Sequence, residues 1–160
     1  MKNIKYIVML AAIFLPSTFL MGQGAPGCIP TINFTDNGDG TVTDITTGLM
    51  WQQEDDDTER DWDDAIAYCD GLDLAGHVDW RLPDIHELWS IVDLERILPA
   101  IDETYFPGTL KENEIDSLYW SSSTCAENHT RAYFVSLGCD VKATYLEKTY
   151  EHGIYVRCVR

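Results

Sequence analysis

The sequence predicts an α+β domain, and three observations predict it. Short strand-like segments surround glycine-rich turns between Ile32 and Gln52. Two capped segments of helical period follow, over about Trp62–Gly71 and Ile85–Leu94. Four more strand-like runs then fill the chain from Tyr119 to Arg160. A length of 160 residues is one domain's worth, enough to bury a core once a leader is removed.

Residues 1–22 read as a signal peptide. Lys2 and Lys5 charge its start, Tyr6 to Leu15 is an apolar run too short to span a bilayer, and small residues follow. Residues 23–32 read as a linker, and the domain occupies 33–160. The expected product is exported, whether periplasmic, at the cell surface or secreted, and carries no transmembrane segment. Gly27-Cys28 resembles a lipoprotein signal, but Pro26 and the distance from the apolar run fit that signal badly, so ordinary cleavage is expected.

The formal charge is −16, and loss of Lys2 and Lys5 with the leader gives −16 − 2 = −18. Nucleic acid and sulfated polysaccharide would both have to overcome a repulsive field, which argues against them as partners.

Ile32 to Thr35 and Thr41 to Asp44 form a hairpin around Asn37-Gly38-Asp39-Gly40, residues tolerant of positive φ. The same residues fit three positions of a calcium loop, yet Thr35 and Thr46 stand where it needs carboxylates, so the turn reading prevails. After a second turn at Thr46-Thr47-Gly48, Leu49 to Gln52 reads as a third strand. Glu54 to Asp64 holds eight acids and one arginine, Arg60, and reads as a solvated loop. No cofactor is expected; calcium is the one ion that run would suit, although no spacing fixes a geometry.

Asp61 can cap the first helix, with Trp62, Ala65, Ile66, Cys69 and Leu72 on one face. Asp79-Trp80-Arg81-Leu82-Pro83-Asp84 follows as an anchor. Trp80 and Leu82 alternate inward, Pro83 stops the strand, and Asp84 with Glu87 forms a capping box for the second helix. Arg81 reads as a structural group that satisfies loop carbonyls or Asp79. The second helix carries Ile85, Leu88, Trp89 and Val92 on its buried stripe and His86 off it. Residues 95–117 lack a period, and Ile101, Tyr105 and Phe106 would pin them as a structured loop. The late strands are Tyr119–Ser123, Arg131–Leu137, Val141–Leu146 and Tyr155–Arg160, with Trp120 among the structural residues.

Five cysteines in an exported chain point to disulfides with one thiol left over. Cys69 on a helix's apolar face and Cys158 in phase with Val156 both point inward, which predicts a bond between them. Cys125 and Cys139 would sit at opposite ends of a strand in a simple hairpin, beyond bonding reach. Either that hairpin is not simple or Cys28 is a partner.

Catalysis has no candidate constellation. His77, His86, His129 and His152 are scattered, and no serine sits in a nucleophile elbow. The chain is read as no enzyme, because a surplus of carboxylates alone specifies no chemistry.

Phe34, Asp39-Gly40-Thr41-Val42-Thr43-Asp44, Thr47-Gly48-Leu49-Met50-Trp51, Ala65 with Cys69, Asp79-Trp80-Arg81-Leu82-Pro83 with Glu87-Leu88, Tyr119-Trp120-Ser121-Ser122 and Val156-Arg157-Cys158-Val159-Arg160 together resemble one bacterial family. It is the domain named after the C-terminal region of the Legionella collagen-like adhesin, and the resemblance covers about residues 33–160. It implies a C-type-lectin-like fold, with two helices on a mainly antiparallel sheet and a long irregular loop region. It also implies an exported binding or adhesion module for a glycan or protein ligand. The adhesin's sulfated ligands need basic residues that this chain lacks, and the calcium-dependent sugar motifs of lectins are absent.

In such a fold, recognition falls to segments 95–117, 124–130 and 144–153. The candidate ligand-binding residues there are Asn128, His129, Arg131, Tyr145, Tyr150 and His152, which combine rings with hydrogen-bonding groups. The competing readings are an envelope assembly protein that binds other chains, its own copy included as a homo-oligomer, and a retroelement-diversified binding protein.

Overall fold

The computed structural model describes residues 33–109, 117–150 and 154–160. The expectations for the signal peptide, the linker, Cys28 and His152 lie outside the described residues. Strands β1 (Phe34–Asp36), β2 (Thr41–Asp44) and β3 (Met50–Gln52) form one antiparallel sheet in that order. The second sheet runs β6 (Lys142–Glu147), β5 (Arg131–Ser136), β4 (Leu118–Thr124), β7 (Ile154–Tyr155). Its last pair, β4 with β7, is parallel. The fold is α+β, with two sheets in place of the single sheet expected.

The β1–β2 turn is closed by its own side chains. Asp36 accepts from the Gly38 N–H at 2.8 Å, and Asp39 accepts from the Thr41 N–H and hydroxyl at 3.1 and 2.6 Å. Gly38 and Gly40 take φ 73° and 86°, the left-handed region that glycine enters without penalty. One oxygen of each of these two carboxylates is engaged within the turn.

Helix α1 (Trp62–Asp70) begins at Asp61, whose carboxylate accepts from the Asp64 N–H at 2.9 Å. It buries Ala65 and Cys69, and Cys69 is bonded to Cys158 with an S–S distance of 2.05 Å. Helix α2 (Ile85–Ser90) has the expected capping box of Asp84 and Glu87. It stops at Ser90, short of the expected Leu94. Asp93 donates its N–H to Ala100 at 2.9 Å and turns the chain away, which leaves Trp89 37% exposed instead of buried.

The second sheet separates two cores. Tyr119 and Val135 join Leu88 of α2 on one face, while Trp120, Ala132 and Phe134 join Ala65 and Cys69 of α1 on the other. Strand alternation sorts the residues this way, since paired neighbours share a face. Trp80 and Leu82 belong to the second core, as the anchor reading expected. The Pro83 carbonyl accepts from the Ser122 N–H at 2.7 Å, tying the anchor to β4.

Three expectations need correction. Arg81 is exposed and forks onto Glu87 at 2.7 and 2.6 Å, while Asp79 takes Arg160 at 2.7 Å. The capping box brings Glu87 under Arg81, so no loop carbonyl is needed. The run Tyr155–Arg160 is no single strand. Ile154–Tyr155 joins β4, whereas Cys158 to Arg160 crosses to hydrogen-bond β3 and Arg81, so that Val159 bridges both Trp51 and Arg81. Asp55 is not solvated; its side chain is 2% exposed against Arg157. Cys125 is buried and Cys139 exposed, and they are not joined, in keeping with their expected places at opposite ends of a strand. Ile101 and Phe106 are buried and Tyr105 half-buried, which pins the described part of the long loop.

Candidate functional site

Strands β5 and β6 carry an outward face that gathers several candidate binding residues. Their register places Arg131 opposite Glu147 and Tyr133 opposite Tyr145. Arg131 Nε donates to Glu147 Oε1 at 2.6 Å, and its guanidinium carbon lies 5.5 Å from the Tyr145 ring centre. Tyr133 holds Tyr145 edge-on at 5.7 Å and 89°. Opposite charges and rings directly across a strand pair favour this arrangement.

The 125–131 turn extends the same network. Asn128 Oδ1 accepts from the N–H and the hydroxyl of Thr130 at 3.0 and 2.7 Å, and its carbonyl accepts from the Arg131 N–H at 3.0 Å. The Thr130 hydroxyl also lies 2.9 Å from Glu147 Oε2. The Arg131 hydrogen bond, with the Thr130 hydroxyl whose one proton Glu147 and Asn128 share, holds the Glu147 carboxyl below the usual range, while Glu147 raises the Arg131 guanidinium.

Among the described residues, the Arg131 Nη groups and the Asn128 Nδ2 amide have no hydrogen-bond partner. The Arg131 donors stand beside a Tyr145 ring that is 40% exposed, and the Asn128 amide lies in the turn that leads into Arg131. His129 is exposed beside Asn128. Tyr150 is 43% exposed, and its N–H donates to the Glu147 carbonyl at 3.0 Å, one turn beyond β6. The structure thus joins Asn128, Arg131 and Tyr145 in one contact network and leaves His129 and Tyr150 at its margin. Thr130, Tyr133 and Glu147 were missed by sequence reasoning. The period-two pattern of Arg131 and Tyr133 was a signal for one of them, but Glu147 needed the register of the hairpin.

A second Arg–carboxylate–Tyr set lies inside the domain. Arg157 Nη1 donates to the Gln52 carbonyl at 3.1 Å and to the Gln53 carbonyl, and Nη2 meets Thr109 Oγ1 at 3.0 Å and Asp55 at 3.4 Å. Tyr119 donates its hydroxyl to Asp55 at 2.6 Å, and burial pushes its phenol pKa strongly upward. The guanidinium stands 5.0 and 5.4 Å from the Phe106 and Tyr119 rings. The side chains of Arg157, Asp55, Thr109 and Tyr119 are buried, so this set holds segments together and presents no side-chain donor at the surface. A cleft of about 330 Å³ lies nearby, lined by Gly40, Gln52, Gln53, Glu54, Leu72 and Leu74. Gln52 is already engaged there with Tyr68 and the Cys158 N–H. Among the described residues no three His, Cys, Asp or Glu side chains converge as a metal would require.

Fold and surface together define an α+β domain that displays a polar and aromatic strand face. The family profile of the Lcl C-terminal domain matches residues 40–160, and the chain belongs to that family. No curated protein and no solved structure matches it.

Proposed function

We propose that this chain is an exported, non-catalytic binding or adhesion module with a C-type-lectin-like fold, and that the β5–β6 face holds its glycan or protein ligand. Family membership supports the adhesion reading. The observation that carries the site is the exposed Tyr145 ring, braced by Tyr133 and neighboured by an Arg131 guanidinium whose Nη groups have no hydrogen-bond partner among the described residues. A ring supplies an apolar platform for a sugar or side-chain face, and fixed donors beside it give direction. The Cys69–Cys158 bond suits an oxidising compartment outside the cytosol.

The charge of −16 favours a neutral ligand over a polyanion. The test is an array of neutral, carboxylated and sulfated glycans together with envelope proteins, probed with the purified chain. Binding that Arg131→Ala and Tyr145→Ala remove supports the site. Binding confined to sulfated glycans, or unaffected by either change, would refute it.

A further inference from the structure

We propose that the loop between α2 and Ala100 is a second docking surface, an apolar knuckle shaped for an apolar socket rimmed by lysine or arginine on a partner protein. Leu94, Ile97 and Leu98 are 69%, 83% and 42% exposed. Three exposed aliphatic side chains within five residues concentrate apolar surface in water, a feature that marks interaction surfaces.

The loop's own contacts keep these groups outside. Arg96 folds back, with Nε 3.0 Å from Asp93 and Nη2 2.9 Å from Asp102, and its N–H donates to the Asp93 carbonyl at 3.1 Å. The Asp93 N–H closes onto Ala100, whose own N–H donates to Leu137 at 2.8 Å. Leu98 is held at φ 55°, a conformation uncommon for a branched side chain. Pairing the arginine with the loop's own carboxylates while the leucines face water pre-forms a knob, which lowers the ordering cost of binding.

Charge selects the occupant. Residues 93–103 hold Asp93, Glu95, Asp102 and Glu103 against Arg96, so −4 + 1 = −3. The one cation is already paired, which leaves nothing on the knuckle for a lipid phosphate. A second copy of a chain with charge −16 would be repelled. A basic rim around an apolar socket matches both features of the knuckle.

The probe is β-cyclodextrin, an apolar cup, with either ammonium or carboxylate groups on its rim, followed by NMR of the Leu94, Ile97 and Leu98 methyls. At low salt the ammonium cup is expected to shift those methyls and to bind about tenfold tighter than the carboxylate cup, a preference that fades near ~0.5 M salt. Ile97→Asp should remove the binding without moving the melting midpoint, since the side chain is almost wholly in water. Glu95→Gln with Glu103→Gln should erase the ammonium preference and leave a neutral cup bound. Equal binding of the two charged cups at low salt would overturn the proposal, as would shifts confined to Tyr145 or Tyr150. So would a concentration-dependent dimer that Ile97→Asp dissolves, or Ile97-dependent uptake onto phosphatidylcholine vesicles.

Discussion

Arg157 and Arg131 each meet a carboxylate and a tyrosine, one inside the domain and one on its surface. Arg157 joins groups from far along the chain: the Gln52 and Gln53 carbonyls, Asp55, Thr109 and the Tyr119 ring, with no exposed atom in its side chain. Arg131 joins its immediate strand neighbour, and its side chain remains 41% exposed. The same chemistry therefore has two consequences. Buried, it removes a charge from water and is stable only while every partner stays, so it acts as a clamp. Exposed, its ion pair contributes little to stability, and its leftover donors remain available to a ligand.

The sharpest way to break this contrast is to remove the buried arginine. Arg157→Met should destabilise the domain by roughly 3–5 kcal/mol in chemical denaturation, because it removes the buried cation that faces the Asp55 carboxylate. Adding Asp55→Leu should recover part of that loss. A single variant within ~1 kcal/mol of the parent would mean that water reaches the site.

Next in size is the disulfide, which ties α1 to the segment that carries Arg157. Cys69→Ala with Cys158→Ala should cost on the order of 4 kcal/mol, as closure of an 89-residue separation implies. Non-reducing peptide mapping should recover the two cysteines joined.

A smaller effect should come from the half-exposed pair at α2. Arg81 and a backbone N–H hold the Glu87 carboxyl below its ordinary value. A carboxyl lowered in the folded state stabilises above its unfolded pKa, and the gain is lost as pH falls through the folded value. Glu87→Gln should therefore cost about 0.5–1 kcal/mol at neutral pH and progressively less below about pH 4. A loss that grew with acidity would contradict this assignment.

What could be read from the sequence follows from how far apart the determining residues lie. The Asp61 cap and the Asp84–Glu87 box were legible because each acts within one helical turn. Cys69 and Cys158 were legible because helical and strand phase each reported an inward side chain. The burial of Asp55 was not, since an acidic run reads as solvated until Arg157, 102 positions away, is known to face it. The helical period past Ser90 misled for a similar reason. Hydrogen bonds from Asp93 to Ala100 and from Ala100 to Leu137 redirect the chain, and Leu94, Ile97 and Leu98 become surface although their composition reads as core. At the candidate site, the residue types around 128–131 and 145–150 were visible, but the Glu147 that organises them depends on strand register.

The smallest expected effect on stability belongs to the exposed set, and there the central claim is most directly tested. Once a ligand is identified on the array, its affinity and the melting midpoint are measured together for Arg131→Ala, Tyr145→Ala and their combination. The account predicts a loss of affinity of about tenfold or more for each, with stability unchanged to within about 0.5 kcal/mol. Full affinity in the combined variant would contradict it and would place recognition elsewhere on the domain.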